Sequence, residues 1–168
     1  MSELPKNWIS TTIGELALYV QRGKSPQYTT VSDLPVINQK CIRWRGLEKE
    51  HVKYIHPEQY SAWGEERYLR DGDILWNSTG TGTIGRACIY KDSYFPKAVA
   101  DSHVTIVRFD HHHLCPEYAF YFISSPFVQK KIEEMQSGST NQVELGRAAI
   151  VETSIPLPPL NEQKRIVA

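Results

Sequence analysis

The sequence predicts an α+β domain: a mixed, largely antiparallel and strongly bent sheet with helices packed at one side. Three observations carry that expectation. The apolar run Asp73–Trp76 and the run Ala87–Tyr90 flank a short glycine-rich stretch, the pattern of an antiparallel strand pair. His103–Phe109 contains Val104, Ile106 and Val107, side chains that suit a pleated, buried surface. From Pro116 to Met135, Tyr118, Phe122, Ile123, Val128, Ile132 and Met135 recur at near-helical spacing.

The elements follow in order. Trp8, Ile9, Ile13, Leu16 and Ala17 suggest a short helix, capped by Thr11 or Thr12 with Glu15 in its first turn. Leu18–Val20 reads as a strand running into the polar loop Gln21–Tyr28. Pro35 begins a second strand that becomes basic at Lys40, Arg43 and Arg45. Pro57–Trp63 reads as one short helix stopped by Gly64, and Asp71–Gly72 as a turn feeding the central strand. The helical segment from Pro116 is interrupted at Ser124-Ser125-Pro126, which predicts two helices. Its aromatic cluster, Tyr118, Phe120, Tyr121, Phe122 and Phe127, reads as core. A short helix is expected at Val143–Ala149 and a final strand at Ile150–Pro156. Pro156-Leu157-Pro158-Pro159 then reads as a stiff linker to the start of a helix, with Asn161 as its cap or Pro159 at its first position.

Composition narrows the function. At 168 residues the chain is one domain with apolar content enough for a core. Its 19 basic and 19 acidic residues give a formal net charge of zero, so a nucleic-acid grip would need a local basic face or partners. No apolar run is long enough to span a membrane, and the N-terminus lacks the apolar segment of a signal peptide. Cys41, Cys88 and Cys115 form an odd, widely spaced set, which predicts reduced thiols in a cytoplasmic protein.

The stretch Asn77–Arg86 holds Gly80-x-Gly82-x-x-Gly85, a literal dinucleotide fingerprint. That motif requires a helix after the third glycine, whereas Arg86-Ala87-Cys88-Ile89-Tyr90 reads as a strand. The P-loop lysine and the GxSxG elbow are missing. Ser102 and His103 are neighbours on a strand-like segment and face opposite ways, so they do not form a nucleophile–base pair. His111–His113 are consecutive, unlike the spaced ligands of a metal site, and read as a surface turn. A binding module with no catalytic residues and no metal follows.

Basic residues interleaved with amides and aromatic rings occur at Gln21–Tyr28 and at Asn38–Arg45. Arginine reads guanine edges, amides read adenine edges and cations meet phosphates. The same pattern also fits solvated, ordinary loops.

Four stretches taken together resemble one family: Asp71–Arg86, Asp101–Arg108, Gly138–Gln142, and Ile155–Val167 with its Pro-Leu-Pro-Pro-Leu-Asn-Glu-Gln run. They are similar to the target recognition domain of the specificity (S) subunit of type I restriction–modification systems. The resemblance implies residues 1–157 as the recognition domain and 158–168 as linker and beginning of a long spacer helix. It implies double-stranded DNA as ligand, one half of a bipartite target as the sequence read, and a non-catalytic role. Modification subunits would methylate adenine and restriction subunits would join through the complex. S-adenosylmethionine, ATP and Mg would reside on those partners, with no cofactor here. The alternative is a scaffold that docks the modification subunit with little base reading.

By residue type, the candidate DNA contacts are Arg22, Lys24, Ser25, Tyr28, Gln39, Lys40, Arg43, Trp44, Arg45, Asn77, Ser78, Thr79, Thr81 and Arg86. Gln39, Arg43 and Arg45 are the base-reading candidates; Lys24, Lys40, Arg86 and the hydroxyls are the phosphate candidates. Ser139, Thr140, Asn141 and Gln142 would touch DNA or the modification subunit.

Overall fold

The computed structural model describes residues 4–137 and 144–168. Strand β1 (Ile9–Thr12) runs into a one-turn helix, α1 (Ile13–Leu16). Of the two expected caps, Thr12 is the one used. Its hydroxyl accepts from the Glu15 N–H while the Glu15 carboxylate accepts from the Thr12 N–H, a reciprocal capping box. Next come β2 (Ala17–Arg22), β3 (Tyr28–Thr29), β4 (Pro35–Ile37), β5 (Ile42–Arg43), β6 (Gly46–Leu47) and β7 (Lys53–Ile55). Pro57–Ala62 forms a 3-10 helix rather than an α-helix. The chain continues through β8 (Ile74–Asn77), β9 (Ala87–Ile89), β10 (Val99–Ala100), β11 (Val104–Phe109), α2 (Pro116–Ser124) and α3 (Pro126–Ser137). It ends with α4 (Arg147–Val151), β12 (Ser154–Leu157) and α5 (Leu160–Val167).

Two four-stranded sheets form the framework. The central sheet has the order β2-β11-β8-β9 and is antiparallel throughout. The second, β10-β4-β7-β3, is antiparallel except for the parallel pair β10–β4. Strand β11 is buried along its whole length because cores lie on both faces of the central sheet. The two-residue period sorts side chains between them: Ile74, Trp76 and Val107 point into the core under α2 and α3, whereas Leu75 and Ile106 join Ile37, Ile42 and Cys88 on the other side. A buried ion pair, Asp73–Arg108, ties the first residue before β8 to β11. All three cysteines are buried free thiols, and no helix among the described residues is long and apolar enough to cross a membrane.

Several expectations need correction. The final strand begins at Ser154, and Ile150 and Val151 belong to α4 instead. Ile150 is fully buried there, so burial overrides its β-propensity. The aromatic cluster of α2 and α3 is only partly core. Tyr118, Ala119 and Ile123 share the buried face of α2, while Tyr121 and Phe127 are 57% and 51% exposed. Neither expected cap of the last helix is realised, since Pro159 occupies the position before its first turn and makes no side-chain cap bond.

What holds α5 is Gln163, a fully buried amide. Its Oε1 accepts from the Cys115 N–H at 2.8 Å, and its Nε2 donates to the carbonyls of His113 (3.0 Å) and Pro158 (2.9 Å). Gln163→Leu would leave a buried N–H unpaired. The expected loss is about 1–3 kcal/mol, read by urea unfolding; unchanged stability would mean that water replaces the amide.

Candidate nucleic-acid interface

Apart from Arg43, Trp44 and Arg45, the candidate residues among those described lie on segments gathered at one end of the central sheet. The antiparallel register causes this. Arg22, at the end of β2, lies opposite Thr105 near the start of β11, Val104 opposite Asn77 at the end of β8, and Trp76 opposite Ala87 at the start of β9. Thus the loop after β2, the turn before β11 and the β8–β9 loop all emerge together. The segment after β4 joins them, because the Asp101 N–H donates to the Ile37 carbonyl.

The glycine-rich loop connects β8 to β9, so a strand and not a helix comes directly after it. Gly80 and Gly85 take φ of +99° and +85°, conformations that suit glycine. Backbone bonds from Thr83 and Ile84 to the Gly80 carbonyl and from Gly85 to the Asn77 carbonyl fold the loop back on itself. Two candidates are corrected here. Asn77 and Ser78 are fully buried. The Asn77 amide donates to the carbonyls of Gln39 and Thr83, and the Ser78 hydroxyl bonds to that of Thr105. They shape the loop from within and have no surface to offer DNA. Thr79 is half-buried, its hydroxyl bonded to His103 Nδ1. Thr81 is exposed at the loop tip. Arg86 is half-buried and braces the loop to its neighbour, donating to the Ile42 carbonyl at 3.3 Å and the Gly82 carbonyl at 3.2 Å.

Beside this loop stands the β5–β6 hairpin. Arg43 pairs with Gly46, which leaves Trp44 and Arg45 as its two turn residues. Arg45 is 83% exposed in its side chain, and Trp44 is 43% exposed with its ring 6.4 Å from that of Phe120. Both arginines converge on Glu48, Arg43 Nε at 3.0 Å and Arg45 Nη2 at 2.7 Å. The hydrogen bond from Arg45 holds the Glu48 carboxyl below the usual carboxylate range. Gln39 is half-buried and Lys40 exposed, in the segment between β4 and the hairpin.

On the other flank lies the loop after β2. Ser25 and Ser102 share a hydrogen bond of 2.6 Å. The Tyr28 hydroxyl donates to Asp101, a carboxylate only 3% exposed that also accepts from the His103 N–H. Burial, helped by that carboxylate, pushes the Tyr28 phenol up to about 12. Burial likewise raises the Asp101 carboxyl. Lys24 is exposed, and its ammonium donates to the Ala62 carbonyl and sits over the Trp63 ring. Arg22 pairs with Glu144 at 3.3 Å. Ser139, Thr140, Asn141 and Gln142 lie outside the described residues.

A continuous chain of contacts therefore links the loop after β2, the turn 101–103, the glycine loop and the hairpin. Lys24, Ser25, Tyr28, Lys40, Trp44, Arg45 and Thr81 are its exposed candidates. Residue type alone misses two organisers. Glu48 is marked in sequence only by its three-residue spacing from Arg45, and Asp101 by its pattern of carboxylate followed two residues on by the N–H it captures.

Residues 5–168 match the family described as the type I restriction modification DNA specificity domain. The chain is 27% identical over 173 residues to the Type I restriction enzyme EcoEI specificity subunit of Escherichia coli, a match covering 98% of this chain and 27% of that protein. It is also 27% identical to the MjaVIII specificity subunit of Methanocaldococcus jannaschii, over 98% of this chain and 39% of the relative. The chain thus spans well under half the length of these relatives. Among solved structures, the HsdS subunit from Thermoanaerobacter tengcongensis superposes with a TM-score of 0.70 at 19% identity, covering 98% of this chain and 41% of that one. A chain from work on complex assembly and conformational transition of the type I R-M system gives 0.72, also at 19% identity, over 99% of this chain and 38% of that one. These likenesses fix the fold, and the match along nearly the whole length fixes the family: the chain belongs to the type I restriction modification DNA specificity domain family.

Proposed function

We propose that this domain reads one half of a bipartite double-stranded DNA target and so directs adenine methylation and restriction carried out by partner subunits. The domain itself is non-catalytic. Residues 1–157 form the reading unit, and 158–168 begin the helix that leads away from it. Methylation chemistry, with S-adenosylmethionine, belongs to the modification subunits, and ATP and Mg serve restriction subunits in the assembled complex.

The observation that carries this reading is the hairpin tip. Trp44 and Arg45 are exposed at the tip of the hairpin, whose base is tied to the glycine loop through the Arg86–Ile42 bond. Glu48 holds the guanidiniums of Arg43 and Arg45. A directed arginine fork suits the paired acceptors of guanine in the major groove, while Lys40 and the Thr81 hydroxyl suit phosphates. The zero net charge agrees with a domain that supplies base readout while partners share the phosphate grip.

Arg45→Ala, placed in the assembled methyltransferase, is expected to relax the choice at one base pair by about 1–3 kcal/mol. Methylation rates on a panel of single-base site variants measure it. An unaltered preference at every position would remove Arg45 from the reading surface and favour the scaffold alternative, in which the loops face solvent.

A further inference from the structure

The hairpin holds a carboxylate where a DNA-facing surface would be expected to carry only cations. The Glu48 side chain is 20% exposed and lies within reach of three basic groups: Arg43 at 3.0 Å, Arg45 at 2.7 Å and His51 Nε2 at 3.8 Å. It is anchored as well as paired. The Glu48 N–H donates to the carbonyl of Cys41 at 2.7 Å, and Cys41 is a fully buried core residue. The Glu48 backbone is therefore tied to the core, while the Arg45 side chain that its carboxylate meets is 83% exposed.

Two physical consequences follow. An arginine at a turn tip samples many rotamers, and a carboxylate partner in reach of one guanidinium nitrogen restricts that freedom before binding. The carboxylate also cancels charge that would otherwise seek any phosphate, since phosphate attraction is blind to sequence. A cation restrained in this way gains more from a matching base edge than from a passing backbone. The Glu50 carboxylate lies 3.5 Å from His51 Nε2, so the histidine is shared between Glu48 and Glu50.

We propose that Glu48 is a specificity-determining positioning residue, which aims Arg43 and Arg45 at bases and restrains them from phosphates. The inference rests on the DNA-reading function proposed above. It assigns sequence discrimination to a residue that itself carries the wrong charge to bind phosphate.

The test uses the full specificity subunit assembled with its modification subunits and a randomised duplex library, from which the wild-type target is selected. Affinity for that target and for single-base variants is then measured across a salt series. With Glu48→Gln, discrimination is expected to fall roughly tenfold, affinity for non-target duplex to rise, and the salt dependence to steepen by about one released counterion. Glu48→Asp keeps the charge and shortens the reach. It is expected to lose discrimination with the salt dependence unchanged, and it keeps the question answerable if the glutamine variant folds poorly. A uniform loss of affinity with unaltered discrimination would show that Glu48 merely supports the hairpin, and would overturn the proposal. Full retention of discrimination in both variants would overturn it too. A wild-type complex that selects no sequence at all would instead remove the DNA-reading function on which the proposal stands.

Discussion

Arg108→Met is expected to destabilise the domain by about 3–5 kcal/mol, because it strands a buried carboxylate. Asp73 and Arg108 are 1% and 7% exposed, and they meet through two bonds of 2.8 Å, Nε to Oδ1 and Nη2 to Oδ2. The guanidinium also donates to the Tyr68 carbonyl at 2.9 Å and lies over the Tyr19 ring. Burial pushes the Asp73 carboxyl up, and the hydrogen bond and charge of Arg108 oppose it. Without the arginine, the opposing bond left among the described residues is that from the Arg70 N–H, so the carboxyl rises further above its unfolded value. The sign of the pH effect follows. A carboxyl raised on folding takes up a proton more readily in the folded state, so the deficit is largest at neutral pH and shrinks as the medium is acidified through the raised value. Urea midpoints at neutral and mildly acidic pH measure both effects. The double variant Asp73→Leu/Arg108→Met should recover much of the loss, since removing both charges costs far less than removing one. A single variant as stable as the parent would mean that Asp73 is already neutral in the fold.

The same pair shows what was legible in the sequence. The strands around Ile74–Trp76 and Val104–Phe109 were readable from their apolar runs, and the break at Ser125-Pro126 from its chemistry. Neither Asp73 nor Arg108 announced its partner, because the two are distant in sequence and only the β8–β11 register brings them together. The helix α4 was misplaced for a related reason. Ile150 and Val151 carry β-branched side chains, and only the packing of Ile150 against the core decides for helix. At the candidate interface, residue type located the right loops but did not separate inside from outside. Asn77 and Ser78 look identical in sequence to exposed loop residues such as Thr81, yet they are sealed by bonds to Gln39, Thr83 and Thr105. Likewise Glu48 looks like one more surface acid until the hairpin turns both arginines onto it.

Trp76→Ala is expected to cost about 3–5 kcal/mol, the range for emptying a large, fully buried aromatic site. Trp76 has no exposed surface and sits among Ile74, Val107, Val128 and Ile132 beneath α3. Its consequence for the interface is more specific than its cost. The indole Nε1 donates to the Gly85 carbonyl at 2.9 Å, so the core itself holds the closing residue of the glycine-rich loop. Gln129 donates to the same carbonyl at 3.0 Å from α3. Trp76→Phe therefore separates the two roles. It keeps much of the packing but removes the indole bond together with part of the buried ring, and with Gln129 still in place the expected loss is about 1–3 kcal/mol. A thermal melt of both variants checks the magnitudes. If the loop's shape is set through Gly85, Trp76→Phe should also raise amide exchange at Gly80–Gly85 while leaving β11 protected. Exchange raised equally along β11 would place the indole bond in the service of the sheet alone. The glycines, on this argument, let the loop turn, but a tryptophan in the core decides where it turns to.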